Sequence, residues 1–445
     1  MVRRILLLAL ALTGATALAA PKATASKGPA AEVVTRTLPN GMQVIVWPDH
    51  DIPNVALYTW YRVGSRNERP GITGISHYFE HMMFNGTSTR APGEFDRVME
   101  ANGGANNAYT SSDVTVYQDW FPRSVLPLIF ELESDRMRNL SFDPKVVESE
   151  RGVVYSERRS SVDNNNFGAL YEQVNAALFT AHPYGIPTLG WPSDIEGWRI
   201  EDLKRYYQTY YAPNNATLLV VGDVTPAEVF ALADQYLAKI PASEPPLAVT
   251  TVEPEQKGER RVVLRKESQT PLLLMAWHGA RATDPDAKRL ELLSAILSDG
   301  ESSRLHRRLV EEERIALAVG TGQQAGFDPG FLYLYAVLPP GGDLAKVETA
   351  IDDELARVAR EGVTDAELAK ARNIKLAGHF RSLRTISGKA QALGAAQVFR
   401  GGYTKLFDDP AEYARIAAVE LKEVAGRVLV PDNRTVGTLL PAGAK

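Results

Sequence analysis

The chain has 445 residues, 44% of them hydrophobic, enough for more than one core, so two or more domains are expected. A formal net charge of −5 gives no basic field and excludes nucleic acid as an expected partner. The absence of cysteine excludes disulfides, thiolate nucleophiles, cysteine-ligated zinc and lipid attachment at cysteine.

In chain order, Arg3 and Arg4 precede an apolar run from Ile5 to Leu12, and Ala17 and Ala19 fit a small-residue cleavage site. Residues 1–19 read as a signal peptide cut after Ala19, which implies export to the periplasm. The run is shorter than the roughly 20 apolar residues of a spanning helix, so no membrane span is expected in the mature chain. Residues 20–31, rich in Ala, Lys, Pro and Ser without periodicity, read as a flexible leader. Strand patterns come next at 41–47 and 55–63.

The helical pattern at 76–84 carries His77, Glu80 and His81. Positions i and i+4 of a helix share a face, so the two imidazoles can serve one ion, with Glu80 on nearly the same face. Zinc suits this set. It brings the pKa of a bound water near 7 and polarises a carbonyl, while a carboxylate carries the proton to the leaving amine. Glu80 is the candidate base.

Beyond them lie a helical pattern at 92–102, a Gly/Asn-rich stretch at 103–111, a strand at 114–121, and helical patterns at 124–139 and 144–160. In the last of these, Glu150 and Glu157 stand seven apart and project from one face. One is expected to be the third ligand and the other to accept a hydrogen bond from an imidazole. His50, His182, His278, His306 and His379 stand alone and read as structural. A strand at 217–221 and a helix at 226–238 end the first half.

Pro241, Pro245, Pro246 and Pro254 mark a break at 241–258. Leu203-Lys204, Pro213-Asn214-Asn215 and Thr217 before an apolar run recur as Leu421-Lys422, Pro431-Asp432-Asn433 and Thr435, each 218 residues on. A constant offset across a helix, a turn and a strand argues for a duplicated domain. The expected fold is α+β: two homologous α/β sandwich domains, 32–240 and 259–445, each a largely antiparallel sheet covered by helices, joined by a linker at 241–258.

The order H-x-x-E-H, rather than H-E-x-x-H, is the inverzincin pattern. Through it the sequence resembles peptidase family M16, the pitrilysin, insulinase and mitochondrial processing peptidase family, and the likeness runs through nearly all of the chain beyond the leader. The resemblance implies a LuxS/metallohydrolase-like fold, two units enclosing a chamber, one zinc per chain, and endopeptidase action on peptides or unfolded segments. It makes Glu157, 76 residues past His81, the third ligand, and Glu150 the supporting carboxylate. It also makes 103–111 an edge strand whose Asn107 and Ala108 would pair with the substrate. Read from its residues alone, that stretch is equally a Gly/Asn turn before a strand.

Active members of the family carry an Arg and a Tyr seven residues apart, in a stretch that residues 302–317 of this chain resemble, beginning with Ser302-Ser303-Arg304-Leu305. Here Val310 and Leu317 stand in the places of that pair, and neither side chain donates a hydrogen bond. The resemblance therefore implies a second M16-type subunit that supplies the pair in a heterodimer, or, more mildly, a homodimer with altered substrate contacts. A competing class is a non-catalytic scaffold subunit, against which the retention of His77, Glu80, His81 and Glu157 speaks.

Overall fold

Val44 and Val46 point to one side of their strand and Ile45 and Trp47 to the other, and all four are buried, so their sheet is covered on both faces. The structure, a computed structural model, describes residues 32–442. The signal peptide read at 1–19 and the leader at 20–31 lie outside the described residues. Among the described residues no helix is long and apolar enough to cross a membrane.

The first sheet contains β1 (Val34–Thr37), β2 (Gln43–Pro48), β3 (Asn54–Tyr61), β4 (Ala105–Thr110), β5 (Thr115–Pro122) and β6 (Ala216–Gly222), in the order β1-β2-β6-β3-β5-β4. The second contains β7 (Arg260–Lys266), β8 (Leu272–His278), β9 (Ala318–Gln324), β10 (Phe331–Val337) and β11 (Arg434–Pro441), in the order β7-β11-β8-β10-β9. In each sheet one pair is parallel, β2 with β6 and β7 with β11, and the rest are antiparallel. With β1 set aside the two orders coincide strand for strand, so the 218-residue offset marks two homologous α/β domains.

On the inner face of the first sheet lie α1 (Ile75–Met82), α2 (Glu94–Ala101), α3 (Leu126–Asn139) and α4 (Pro144–Arg158), with the helices Ile200–Tyr210 and Pro226–Tyr236. Helices Pro285–Ser298, Leu344–Glu361 and Ala418–Val428 line the inner face of the second.

The outer faces are covered by exchange. α5 (Asn166–Leu178), from the first half, crosses β7, β11 and β8, where Leu170 and Val174 meet Leu272, Leu274 and Leu439. Helix Ile386–Phe399, from the second half, crosses β6 and β3, where Ile386, Ala390 and Leu393 meet Tyr58, Trp60 and Val221. Burying one such aliphatic side chain contributes about 1.5–3 kcal/mol, so each helix adds substantially to the other half's stability. Both approach closely over a glycine: a Cβ at Gly437 would sit 2.2 Å from Val174 Cγ2, and one at Gly394 would sit 2.3 Å from Trp60 Cε2.

Between the sheets, residues 241–258 form neither helix nor strand. The segment is tied down at Glu253, whose carboxylate accepts from the backbone N–H groups of Thr180, Ala181 and His182.

Candidate metal centre

The helix that carries the two histidines begins at Gly74, which sits at φ +83°, a left-handed conformation that favours glycine. Gly74 has no side chain to cap the helix. The buried Glu68 carboxylate does so from outside, accepting from the N–H groups of Gly74 at 2.7 Å and Ser76 at 2.8 Å. A carboxylate there satisfies donors that a helix start leaves open and faces the positive end of its dipole. Burial acts against this and pushes the Glu68 pKa up to about 8, the two backbone hydrogen bonds offsetting part of the rise. Tyr78, Phe79 and Met82 point into the first core, which leaves Glu80 and His81 at the cleft side.

α4 starts at Asp143, whose side chain accepts from the N–H groups of Lys145 and Val146, with Pro144 in the first turn. Val147 and Val154 anchor it in the core. Tyr78 Oη of α1 donates to the carbonyl of Val147 at 2.8 Å, and Arg151 donates to that of Trp198 at 2.7 Å. The same helix thereby presents Glu150 and Glu157 to α1.

Glu157 lies between the imidazoles, with Oε1 3.5 Å from His77 Nε2 and Oε2 3.2 Å from His81 Nε2. Glu150 stands on the other side of His81, its Oε1 2.8 Å from Nδ1. A carboxylate only accepts, so Nδ1 of His81 donates to Glu150 and Nε2 is turned to the shared centre. Nδ1 of His77, by contrast, is buried without a hydrogen-bond partner.

Charge follows geometry. The His77 and His81 hydrogen bonds hold Glu157 well below the usual carboxylate range. Burial alone would lower the His81 pKa, but its bonds to Glu150 and Glu157 outweigh burial and raise it to about 9. Two imidazole nitrogens and one carboxylate oxygen, all within 4.8 Å of one another, fit the three protein ligands of a catalytic zinc with an open fourth position.

Beside this group a cleft of about 500 Å³ is lined by Glu80, His81, Phe84, Asn107, Ala108 and Glu150. β4 forms its wall and is the last strand of the sheet, paired to β5 on one side only. Of the stretch at 103–111, residues Ala105–Thr110 are thus an edge strand. Glu80 accepts a hydrogen bond from Thr110 Oγ1, the last residue of β4, at 2.7 Å. The structure gathers His77, Glu80, His81, Glu150, Glu157, Asn107 and Ala108 in one place, and adds two residues that sequence reasoning passed over, Glu68 and Thr110.

The second domain keeps the frame and loses the donors. At the 218-residue offset, His77, Glu80, His81 and Glu157 correspond to Ala295, Ser298, Asp299 and Lys375. Lys375 Nζ meets Asp299 Oδ2 at 3.3 Å, an ion pair where the first domain has imidazole and carboxylate. In the nearby stretch, Val310 is half-buried against the second core and Leu317 is 57% exposed. Arg304 is structural there, bonded to Glu367 and Glu354. Among the described residues the other histidines join no such group: His50 pairs with Asp223 and His182 with Asp328.

Residues 44–191 match the family described as insulinase (peptidase family M16), and residues 198–375 match the peptidase M16 inactive domain. Zinc protease PqqE of Helicobacter pylori is 30% identical over 414 residues, covering 91% of this chain and 92% of that one. The chain belongs to peptidase family M16. A further relative, the uncharacterized zinc protease YmxG of Bacillus subtilis, is 26% identical over 92% of this chain and 98% of its own. A protease from Helicobacter pylori of known structure superposes with a TM-score of 0.89 at 28% identity, over 92% of this chain and 99% of that chain. The periplasmic protease PqqL from Escherichia coli shares the fold, at a TM-score of 0.77 and 21% identity, and the match spans 92% of this chain but 47% of that one. Residues 198–222, inside the match to the inactive domain, belong here to the first sheet and its cover.

Proposed function

We propose that this M16 chain is an exported, zinc-dependent endopeptidase that hydrolyses peptides or unfolded segments. The observation that carries the reading is the convergence of His77, His81 and Glu157 beside a cleft walled by an edge strand and by Glu80. His77, His81 and Glu157 would hold the ion, one per chain, and Glu150 would fix the His81 ring. Zinc bound there supplies Lewis acidity and an acidified water. An extended peptide would add to the free edge of β4 near Asn107 and Ala108, through main-chain hydrogen bonds. Glu80 would accept a proton at one carboxylate oxygen and deliver it to the leaving amine.

Val310 and Leu317 favour a second M16-type subunit that brings the Arg and Tyr, in a heterodimer; a homodimer with altered substrate contacts is the alternative. Identifying what co-purifies with the chain from its native source decides between them. The periplasm is the compartment that the signal-peptide reading supports. A scaffold role would need no donors at the site, and all are present.

The test is zinc stoichiometry together with cleavage of a quenched peptide, with Glu80→Gln as control. Zinc near one per chain and cleavage lost in the variant are expected; equal cleavage by the variant would remove Glu80 as the base.

A further inference from the structure

Side chains alternate along β4, so Asn106, Ala108 and Thr110 share the face turned to α1 and α2. Asn106 donates to Asp96 of α2 at 2.9 Å, and Thr110 donates to Oε2 of Glu80 at 2.7 Å. On the opposite face, Tyr109 packs edge-on against Trp60 and accepts from Gln391 at 2.9 Å. The turn after β4 is clamped as well. Ser112 accepts at its carbonyl from Arg66 N–H at 2.9 Å and at its hydroxyl from Gln324 of the second domain at 3.1 Å. Tyr184 Oη donates to Asp113 at 2.9 Å. Thr110 is therefore fixed from both sides, and the carboxylate it holds is fixed with it.

We propose that Thr110 is a positioning residue that ties the base to the strand on which the peptide would lie. Its hydroxyl occupies Oε2 of Glu80 and leaves Oε1 for the proton, so the proton acceptor and the scissile bond share one register. Thr110 acts through Glu80 and touches no reacting atom. The proposal rests on the endopeptidase reading.

The experiment compares Thr110→Val, which keeps the β-branched shape and removes the donor, with Thr110→Ser, which keeps the hydroxyl. In Thr110→Val, kcat is expected to fall about tenfold or more with KM within about twofold, a part of what a positioned base contributes. Zinc affinity by chelator competition stays at the wild-type value, and a crystal structure of the metal-free variant shows the Glu80 carboxylate moved off the β4 side. Thr110→Ser recovers most of the kcat. Unchanged kcat in Thr110→Val, equal losses in both variants, or a loss that tracks weaker zinc binding would each overturn the proposal. A wild-type chain that cleaves nothing, both alone and with the subunit that co-purifies with it, sinks the peptidase reading alone; the Thr110 proposal is then decided by the crystal structure, and a Glu80 carboxylate still in place overturns it.

Discussion

Nδ1 of His81 and Oε1 of Glu150 are 2.8 Å apart, and this contact fixes which ring nitrogen faces Glu157. Partners of this kind orient a ligand and raise its basicity. Glu150→Gln is expected to weaken zinc binding by about 10- to 100-fold while leaving the fold intact, read by chelator competition and circular dichroism. An affinity equal to wild type would show that the ring needs no such support.

The carboxylate between the imidazoles and the one beside Thr110 separate by readout. Glu157→Gln is expected to retain no stoichiometric zinc after dialysis, because the site then lacks its one anionic donor. Glu80→Gln is expected to retain zinc and lose about 10²- to 10⁴-fold in kcat. Metal analysis of both proteins checks the first half and peptide cleavage the second; loss of zinc in Glu80→Gln would contradict the division.

How much of this was legible in the sequence depends on how local each relation is. His77 and His81 sit one turn apart on one helix, so their partnership can be read from spacing. Glu150 and Glu157 share a face of α4, and spacing alone leaves their roles open. The structure separates them because two turns put them roughly 10 Å apart along the axis, so that only Glu157 spans both imidazoles. The stretch at 103–111 reads equally as a turn or a strand, because Gly103, Gly104, Asn106 and Asn107 are residue types depleted in strands, and pairing of Ala105–Thr110 with β5 decides the matter. Thr110 gives no periodic signal at all. The exchange of α5 and Ile386–Phe399 is hidden for another reason: periodicity says that a helix buries a face, not which sheet receives it.

Glu367 offers a pH test in the second domain. Its carboxylate takes Arg304 Nε at 2.7 Å and Nη2 at 2.8 Å and caps the helix Asp365–Ser382, and these bonds, Arg304 foremost, lower its pKa from 4.5 to about 2. A carboxylate depressed on folding stabilises fully above its unfolded pKa and loses that contribution as pH falls through the folded one. Glu367 is partly exposed, and solvent screening limits the worth of the contact to about 1 kcal/mol. The stability gap between wild type and Glu367→Gln, from urea midpoints, is expected to be full at pH 7 and to shrink from about pH 4.5 down to about 2. A gap that does not change with pH would refute the linkage.

The exchanged helices predict one unfolding transition rather than two. Gly437→Val, which crowds Val174 of α5, is expected to cost about 1–3 kcal/mol as overpacking does. Because α5 belongs to the other half, the variant should shift a single calorimetric peak without splitting it. Two resolved peaks would show that the halves unfold independently.

The crossed helices also bear on how the chain comes off the ribosome. β6 closes the first sheet at Gly222, yet the helix that shields Tyr58 and Trp60 begins only at Ile386, 164 residues later. At synthesis rates of about 5–20 residues per second, the covering helix is made roughly ten to thirty seconds after the sheet it covers. A chain cut short anywhere between those points lacks the helix that covers this flank.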